Sequence, residues 1–386
     1  MKIIEVGTGY TSIPANMGAA TEIVVEELAK VFEKEKVNYE IFDIKDENRQ
    51  DTNLRIREVC VPKCIRKKDV SLGLMHKLKR VIYSISLARV LKKEIKNSNE
   101  EITVHFHNQY NMFFFCKLTS KKIRKKVKLI YTVHSYIWNG KWEDIENTIK
   151  KKYFQEVFCV KNSDKVFVLN NITRDYFINK LGVNSNRIVK IDNGVNTEIY
   201  KTEENNSDEI IFFQSGSICD RKNQLGAIKM LSKYLKENKK LKYVYAGGII
   251  DQEYKNKIDE YIKNNNIYEQ VEYVGELKPG KELAEYYNKA KAFIFPSVAE
   301  AFSLVILEAI SSGLPVIMNK QSILDVDEKL ENVILFYNDK STFDYIINNK
   351  IFNEKERKEI SNKSRETAEK VYSWDAVAKE YLKNIK

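Results

Sequence analysis

The sequence predicts two consecutive α/β domains, each built around a parallel β-sheet. Short apolar strands alternate with amphipathic helices along the first 200 residues, and the same alternation restarts after a polar stretch at 201–209. This alternation is typical of parallel sheets that are covered by helices on both faces. A chain of 386 residues, 43% of them hydrophobic, is also long enough to form two cores.

The first domain is predicted to span residues 1–200, because the polar stretch KTEENNSDE then interrupts the pattern. Apolar residues at three- and four-residue spacing predict a helix from about residue 19 to residue 34, between the first two strands. The clearest predicted strands are KIIEVG, NYEIFDI, ITVHFH, KLIYTVH and DKVFVLN.

The second domain is predicted to span residues 201–372, with strands EIIFFQSGS, KYVYAGG, QVEYVGE, KAFIFPS and PVIM. Residues 373–386 have the sequence SWDAVAKEYLKNIK, which predicts a C-terminal helix that packs back toward the first domain. Open parallel sheets bind ligands at the carboxyl ends of their strands. We therefore expect a ligand site in a deep cleft between the two domains.

The net charge of +11 arises entirely in the first half of the chain. Residues 1–200 contain 36 Lys and Arg against 24 Asp and Glu, which leaves 29 against 30 for the rest. Residues 55–130 alone contain 20 basic and 5 acidic side chains. This basic segment is either a solvated face or a surface for anionic lipid head groups, and the helix predicted over 74–96 lies either on a bilayer or on the sheet.

No stretch reaches the roughly 18 apolar residues of a membrane-spanning helix, and the N-terminus begins with a strand. We expect a cytoplasmic protein, peripheral on the inner face of the membrane if the basic segment binds lipid. The five cysteines are interpreted as reduced, ordinary residues, because only Cys60 and Cys64 are close in sequence and no second pair completes a zinc site.

The strongest functional signal is the segment PSVAEAFSLVILEAISSGLPV at 296–316. Ser303 is expected to cap a helix from Leu304 to Ser312, which a Gly-x-Pro sequence ends. Glu308 is surrounded by apolar residues on that helix, and a buried carboxylate needs strong hydrogen-bond donors, for which ribose hydroxyls are suitable. The alternative is an ordinary helix with one salt-bridged glutamate after an acidic loop.

The N-terminus of this helix is expected to bind an anion such as a pyrophosphate, through its free N–H groups and its dipole. Glu300 precedes the helix, so the two carboxylates flank the anion. The pattern fits a nucleotide-sugar, with Glu308 toward the nucleoside and Glu300 toward the hexose. The residues expected at the phosphates are Ala301, Phe302, Ser303 and Leu304.

The Glu-x7-Glu spacing, followed by Ala and the Gly-x-Pro stop, resembles the signature of retaining glycosyltransferases of the two-domain type called GT-B, glycosyltransferase family 4 (glycosyl transferases group 1). The resemblance covers nearly the whole chain and implies two Rossmann-like domains that face each other across a deep cleft. It assigns Glu300 to the donor sugar and Glu308 to the ribose. Ala301 replaces the family's usual Gly, which leaves the amide available but narrows the sugar pocket slightly.

Other segments match the family in order and spacing. NGVN at 193–196 resembles the Asn-Gly-Val-Asp turn before the interdomain linker, and GSICDRKNQ at 216–224 resembles the loop that holds the donor diphosphate. Lys222 matches the lysine of that loop, whereas Ser217 stands at the position of its arginine, so Arg221 and Lys222 are expected to supply the positive charge. An exposed basic pair is the alternative. The residues assigned to the donor on this loop are Gly216, Ser217, Arg221 and Lys222.

The loop GYTSIPANMGAATE also fits the family, which commonly has two glycines there; Met17 stands at the first. Gly18 would allow the backbone to approach the phosphates or the acceptor closely. An ordinary tight turn between strand and helix is the alternative.

Three histidines follow or end two of the predicted strands. His134 resembles the family's active-site histidine in a strand that ends Thr-x-His, which lies beside the donor sugar. His107 and Asn108 are assigned to the acceptor side, and His105, on the same strand face as His107, is expected behind them. A structural role is the alternative for each histidine.

The resemblance implies retaining transfer of a hexose from a UDP-, GDP- or ADP-linked sugar to a hydroxyl acceptor, with the leaving diphosphate as the base. The catalytic residues are then His134, Glu300, Lys222 and Arg221, the last two stabilising charge on the diphosphate. No Asp-x-Asp motif stands in a suitable loop, so we expect no metal and no cofactor besides the donor.

A lipid-linked or cell-envelope glycan is the expected acceptor if the basic segment binds membrane. Two alternatives remain for the function. One is a catalytically silent homologue that binds nucleotide-sugar: Ser217 and Ala301 keep this alternative open, whereas the presence of Glu300, Lys222, Glu308 and His134 argues against it. The other, less favoured, is a nucleic-acid-binding protein using the basic half, because no motif for reading nucleic acid accompanies the charge.

Overall fold

A computed structural model describes residues 1–15, 20–62, 74–203, 207–298, 300, 303–322 and 326–385, except for the side chains of 74–76. The chain forms two compact units. Unit 1 comprises Met1–Asn193 and Val377–Lys386, and unit 2 comprises Gly194–Ala376.

Unit 1 is built around a parallel sheet of seven strands. They are β1 (Lys2–Val6), β2 (Tyr39–Ile44), β3 (Ile56–Val59), β4 (Ile102–Phe106), β5 (Val127–Thr132), β6 (Lys165–Val168) and β7 (Ile188–Lys190). Their order across the sheet is β3-β2-β1-β4-β5-β6-β7. Successive side chains of β1 from Ile3 to Val6 are fully buried, as expected of a central strand covered on both faces.

Helices cover this sheet. The apolar stripe predicted for the first helix, from Val24 to Phe32, is buried against it. The helices of this part of unit 1 are α1 (Ala20–Lys34), α2 (Leu74–Asn97), α3 (Gln109–Leu118), α4 (Lys121–Arg124), α5 (Trp142–Lys152), α6 (Phe154–Asn162) and α7 (Asn171–Asn179).

Unit 2 contains a second parallel sheet, of six strands. They are β8 (Ile210–Ser215), β9 (Leu241–Ala246), β10 (Val271–Tyr273), β11 (Ala292–Phe295), β12 (Val316–Asn319) and β13 (Ile334–Tyr337), in the order β10-β9-β8-β11-β12-β13. Its helices are α8 (Gln224–Glu237), α9 (Gln252–Asn264), α10 (Lys281–Lys289), α11 (Leu304–Ser311), α12 (Glu328–Glu331), α13 (Lys340–Ile346) and α14 (Glu354–Thr367).

The last helix, α15 (Trp374–Ile385), contributes most of its length to unit 1. Lys128 Nζ donates to the Ile385 carbonyl at 2.6 Å, and Lys165 Nζ donates to the Asn384 carbonyl at 2.8 Å. Cations at the last carbonyls of a helix also interact favourably with its dipole. The Tyr381 ring packs against Phe167 with 5.0 Å between ring centroids.

The predicted fold class, two Rossmann-like α/β domains, is confirmed. The strand Ile56–Val59 is not among the strands predicted from the sequence and lies at the start of the basic segment 55–130. The described cysteines Cys60, Cys116, Cys159 and Cys219 are free thiols. Across the described residues, none of the helices has the combined length and apolar character needed to cross a bilayer.

Candidate active site

The helix predicted from Leu304 is α11 of unit 2. It ends as the sequence predicts: Gly313 has a φ of 74°, and Leu314 N donates to the Ala309 carbonyl at 2.9 Å, which is the long hydrogen bond of a Schellman motif. Its start differs in one respect. Ser303 occupies the N-cap position with extended backbone, but its side chain forms no capping hydrogen bond within the described part of the chain. The predicted hydroxyl cap is therefore not formed there.

Glu308 lies on the buried side of α11 and is only 6% exposed. The Tyr287 hydroxyl donates to its Oε2 at 2.9 Å, and the Tyr200 hydroxyl provides a second hydrogen bond. Burial raises the pKa of Glu308 to about 7, although both tyrosines act to lower it. From the sequence, ribose hydroxyls were the expected hydrogen-bond donors to Glu308. Two tyrosines that are distant in sequence supply part of this hydrogen bonding.

Glu300, which precedes α11, pairs with both members of the basic pair on the loop after β8. Arg221 Nη1 contacts Glu300 Oε1, and Lys222 Nζ lies 2.6 Å from the same oxygen. The side chains of Glu300 and Lys222 are only 11% and 12% exposed. The structure therefore brings three of the predicted catalytic residues into one cluster of two cations and one carboxylate, which we call the Glu300 cluster.

Backbone contacts fix the position of Lys222. Gln214 Nε2 donates to the Lys222 carbonyl at 2.8 Å, and the Asn223 side chain accepts from Gly226 N at the start of α8. Asn223 adopts the left-handed conformation, with a φ of 54°. The hydrogen bonds of the Lys222 carbonyl and of the Asn223 side chain therefore hold the backbone from which the Lys222 side chain extends.

Gly216 and Ser217 lie beside this turn. Gly216 has a φ of 151°, and a Cβ at this position would lie 3.4 Å from Lys222 Cδ. The Lys222 stem therefore passes over Gly216. The Ser217 carbonyl accepts from Gln224 Nε2 at 3.0 Å. Gly216 thus lies next to the Glu300 cluster, and Ser217 contacts the first residue of α8.

Three residues predicted to bind the donor lie outside the described residues. They are Gly18, Ala301 and Phe302. Their roles stay predictions from the sequence.

The histidines of unit 1 form a buried hydrogen-bonded network around Glu5 of β1. His105 Nδ1 lies 3.0 Å from Glu5 Oε1, and His107 Nε2 lies 2.9 Å from Oε2. His107 Nδ1 lies 3.0 Å from His134 Nε2, and His105 Nε2 lies 2.7 Å from Thr132 Oγ1. We call Glu5, His105, His107 and His134 the histidine network.

The carboxylate of Glu5 is anionic, and the rings of His107 and His134 are neutral. Burial alone would raise the pKa of Glu5, but His105 and His107 outweigh it and lower the pKa to about 2. Burial lowers the pKa of His107 to about 4 and holds the pKa of His134 well below its usual value. Both imidazoles are therefore uncharged at neutral pH.

Sequence reasoning missed Glu5 entirely. It stands within the apolar strand KIIEVG, and parallel pairing of β1 with β4 sets it opposite His105. A carboxylate in a strand buried on both faces was the available signal, because such a group requires a partner. His134 is half-buried, whereas Glu5, His105 and His107 are buried.

Asn108, predicted on the acceptor side, caps α3. Its side-chain oxygen accepts from Tyr110 N at 2.9 Å, and its amide donates to the Tyr10 hydroxyl at 2.8 Å. Both ends of the side chain are thus engaged within unit 1, so Asn108 has an evident structural role beside His107.

One group of side chains could hold a metal ion among the described residues. Ligand atoms of Glu5, His105 and His107 all lie within 4.8 Å of one another. The same atoms form hydrogen bonds at 2.9 and 3.0 Å, and each carboxylate oxygen faces one ring nitrogen. The arrangement is that of a carboxylate accepting two N–H groups, which satisfies all three residues without an ion.

Among the described residues of 55–130, the basic side chains are not all exposed. On α2, Lys79 is buried and donates to the Tyr10 carbonyl at 2.9 Å, while Leu78 is 46% exposed. The helix packs instead through Tyr83 and Leu87. Exposed basic side chains cluster further along the chain, at Lys117, Lys121, Lys122, Lys125 and Lys126.

Two family models match the chain in succession. Glycosyltransferase Family 4 matches residues 21–199, and Glycosyl transferases group 1 matches residues 195–367. The two sheets and the matches together define a glycosyltransferase of the GT-B fold. The chain therefore belongs to glycosyltransferase family 4, glycosyl transferases group 1, as the resemblance implied.

Similar proteins agree with this assignment. The chain is 25% identical to the uncharacterized glycosyltransferase MJ1178 of Methanocaldococcus jannaschii over 78% of this chain and 79% of that protein. It is 24% identical to the UDP-Gal:alpha-D-GlcNAc-diphosphoundecaprenol alpha-1,3-galactosyltransferase of Escherichia coli over 61% and 60% of the two chains. HepE of Anabaena, crystallised with UDP, superposes with a TM-score of 0.74 at 15% identity, over 100% of this chain and 99% of HepE.

Proposed function

We propose that this glycosyltransferase moves a hexose from a UDP-linked donor to a hydroxyl acceptor, with retention of configuration and without a metal ion. The observation that carries the proposal is the Glu300 cluster: two cations, nearly or partly buried, converge on one carboxylate at the start of α11. Paired cations of this kind suit a diphosphate. UDP is favoured over GDP and ADP because HepE was crystallised with UDP-glucose and the Escherichia coli relative is named for UDP-Gal.

The donor diphosphate would displace Glu300 from the two cations. Arg221 and Lys222 then contact the phosphate oxygens, helped by N–H groups in the first turn of α11, where the Ser303 side chain provides no cap. Glu300, released from the cations, accepts hydrogen bonds from hexose hydroxyls. With the diphosphate bound in this way, Gly216 and Ser217 would lie beside the phosphates, and the backbone at Gly216 could approach them closely.

Glu308 would bind the ribose. Its carboxylate already accepts from Tyr287 and Tyr200, and a carboxylate has about four acceptor positions. Two ribose hydroxyls can therefore add to the tyrosines without replacing them. The hydrogen bonds would favour the ionised form of a group whose pKa is near neutrality.

In the proposed reaction the bond between the anomeric carbon and the diphosphate oxygen breaks. The acceptor oxygen bonds to the same face of the carbon, and the acceptor proton passes to the leaving diphosphate. Arg221 and Lys222 stabilise the charge that develops on that diphosphate. His134 is assigned a hydroxyl of the hexose by resemblance to the family, and His107 lies behind it.

A lipid-linked acceptor at a membrane surface is part of the proposal. Leu118 and Phe154 are 48% and 50% exposed, and Phe154 contacts Phe113 at 6.0 Å between ring centroids. Exposed lysines follow on and after α4, and each basic side chain near an anionic bilayer contributes about 1 kcal/mol. Exposed apolar side chains together with lysines suit an anionic lipid surface.

The function is tested with donors first. Thermal unfolding with UDP-, GDP- and ADP-sugars identifies the donor that stabilises the protein, and NMR of the product of transfer or hydrolysis gives the anomeric configuration. We expect a UDP-sugar and an α product. Donor binding without any turnover would instead support the silent homologue, and an inverted product would contradict retention.

The membrane surface is tested by sedimentation with vesicles of anionic or neutral lipid. We expect binding to anionic vesicles that decreases with salt, and loss of binding when four lysines of unit 1 become serine. Four exposed lysines of α8 and the following turn provide the matched control, whose replacement should leave binding unchanged. The tested set is Lys121, Lys122, Lys125 and Lys126, and the control set is Lys229, Lys233, Lys236 and Lys239. Equal loss in both sets, or no binding by wild type, would contradict a specific surface.

A further inference from the structure

In the histidine network, the ionised carboxylate of Glu5 determines which ring nitrogens donate hydrogen bonds and which accept them. An ionised carboxylate only accepts hydrogen bonds, so Glu5 requires N–H groups at His105 Nδ1 and His107 Nε2, at 3.0 and 2.9 Å. A neutral imidazole has one N–H. His107 Nδ1 is consequently an acceptor, and the nitrogen that faces it at 3.0 Å, His134 Nε2, must donate.

We propose that Glu5, acting through His107, is a positioning residue for His134. It fixes the His134 ring as the Nε2–H tautomer and leaves His134 Nδ1 as a hydrogen-bond acceptor at the half-buried end of the network. This acceptor suits a hydroxyl group, and it is unsuited to a second acceptor such as a phosphate oxygen.

The contacts of His105 explain why the Glu5 carboxylate keeps its orientation toward His107. His105, completely buried, donates from Nδ1 to Glu5 Oε1, and its Nε2 lies 2.7 Å from the Thr132 hydroxyl oxygen. The ring of Tyr381, on α15, covers His105 at 5.8 Å between centroids. Because both carboxylate oxygens are held by rings fixed in the sheet, Glu5 cannot rotate to release His107.

The consequence for the reaction rests on the proposed function. An acceptor at His134 Nδ1 orients a donor-sugar hydroxyl through one hydrogen bond. In a variant whose His134 carries the proton on Nδ1, we expect turnover of the nucleotide-sugar to fall on the order of tenfold, with little change in its KM, because one oriented hydrogen bond is lost.

The direct test is NMR of protein labelled with ¹⁵N in histidine, whose ring nitrogen shifts distinguish the two tautomers. The chain has only four histidines, so single replacements by glutamine assign the signals. We expect His134 and His107 as Nε2–H at neutral pH, and a proton on Nδ1 of His105. A His134 ring that carries its proton on Nδ1, or a charged His134, would overturn the proposal.

Two variants test the transmission. In His107→Phe, His134 loses its acceptor, and we expect a mixture of tautomers; a His134 that stays entirely Nε2–H would show that His107 does not control it. Thr132→Val is the matched control on the other branch, because Glu5 still fixes His105. It should leave the His134 tautomer unchanged, and a change there would contradict the assigned direction.

Elemental analysis of the same sample adds a further check. A stoichiometric divalent ion would contradict the proposal, because nitrogens that ligate a metal carry no proton. The tautomers are measured in the absence of nucleotide-sugar. Failure of this proposal can therefore be distinguished from failure of the proposed function. Correct tautomers without binding of any nucleotide-sugar would refute the proposed function alone, whereas donor turnover with a wrong tautomer would refute only the role of Glu5.

Discussion

Replacement of Glu308 by glutamine tests whether this buried carboxylate has the environment that the structure gives it. Glu308 is 6% exposed and contacts two tyrosine hydroxyls, and burial raises its pKa from 4.5 to about 7. Glutamine has nearly the same size and still accepts a hydrogen bond from Tyr287. It does not ionise, so the variant removes only the cost of a buried charge.

The magnitude follows from the difference between the folded and unfolded pKa. The folded protein binds the proton more tightly, so its stabilising contribution is complete below pH 4.5 and is lost as pH rises through about 7. At about 1.36 kcal/mol for each pH unit, the loss amounts to roughly 3 kcal/mol by pH 8. Glu308→Gln does not lose this contribution, so its free energy of unfolding decreases less between pH 5 and pH 8.

Thermal unfolding of both proteins at several pH values measures this difference. Between pH 5 and pH 8 the loss is about 2.5 kcal/mol, which corresponds to roughly 5–10 °C in the midpoint for a domain of this size. The variant should gain this much relative to wild type over that range. Glu285→Gln, which replaces an exposed glutamate on α10, is the control and should show no such trend. A Glu308→Gln midpoint that follows wild type in parallel at all pH values would refute the reasoning.

Binding of UDP tests whether Glu308 also contacts the ribose. Ribose hydroxyls that donate to Glu308 favour its ionised form, so the affinity of wild type for UDP should increase as pH rises through about 7. The Glu308→Gln variant should bind roughly 10- to 100-fold more weakly at pH 8, since a hydrogen bond to a charged group contributes about 1.5–3 kcal/mol. Calorimetric titration measures both, and unchanged affinity in the variant would remove Glu308 from the ribose.

Two further predictions concern unit 2, and a third concerns the transfer reaction. Lys222→Met should raise the Kd for UDP by roughly 10- to 100-fold through loss of a charge-assisted hydrogen bond, whereas Lys229→Met, at an exposed position of α8, should leave the same calorimetric titration unchanged. Gly247→Ala should lower the unfolding midpoint measured by circular dichroism, because Gly247 has a φ of 143° and its added Cβ would clash with the Gly216 carbonyl; an unchanged midpoint would contradict that geometry. Excess EDTA should leave the rate of donor turnover unchanged, and restoration of a lost rate by added Mg²⁺ or Mn²⁺ would contradict transfer without a metal.

The local features of the fold could be predicted from the sequence, because strand and helix periodicities are properties of short segments. The stripe from Val24 to Phe32 and the Gly313 stop are of this kind. The start of α11 was less predictable: a serine before an apolar run predicts a cap, but whether its hydroxyl rotates onto the helix depends on neighbours outside the motif.

The candidate site was predictable where a family motif fixes it and unpredictable where the sheet assembles it. Lys222 and Glu300 were identified separately by their motifs, and the structure brings them to 2.6 Å. Glu5 was missed because its partners are about one hundred residues away and meet it only through the pairing of β1 with β4. The sequence predicted that a buried Glu308 needs hydrogen-bond donors. It did not identify Tyr287, because this tyrosine lies on another helix and no local pattern links the two residues.

A crystal structure of the protein grown with UDP tests the central claim most directly. We expect the diphosphate within hydrogen-bond distance of Lys222 Nζ, at the start of α11, with the ribose hydroxyls on the Glu308 carboxylate. UDP bound elsewhere, with Lys222 still paired to Glu300, would contradict it.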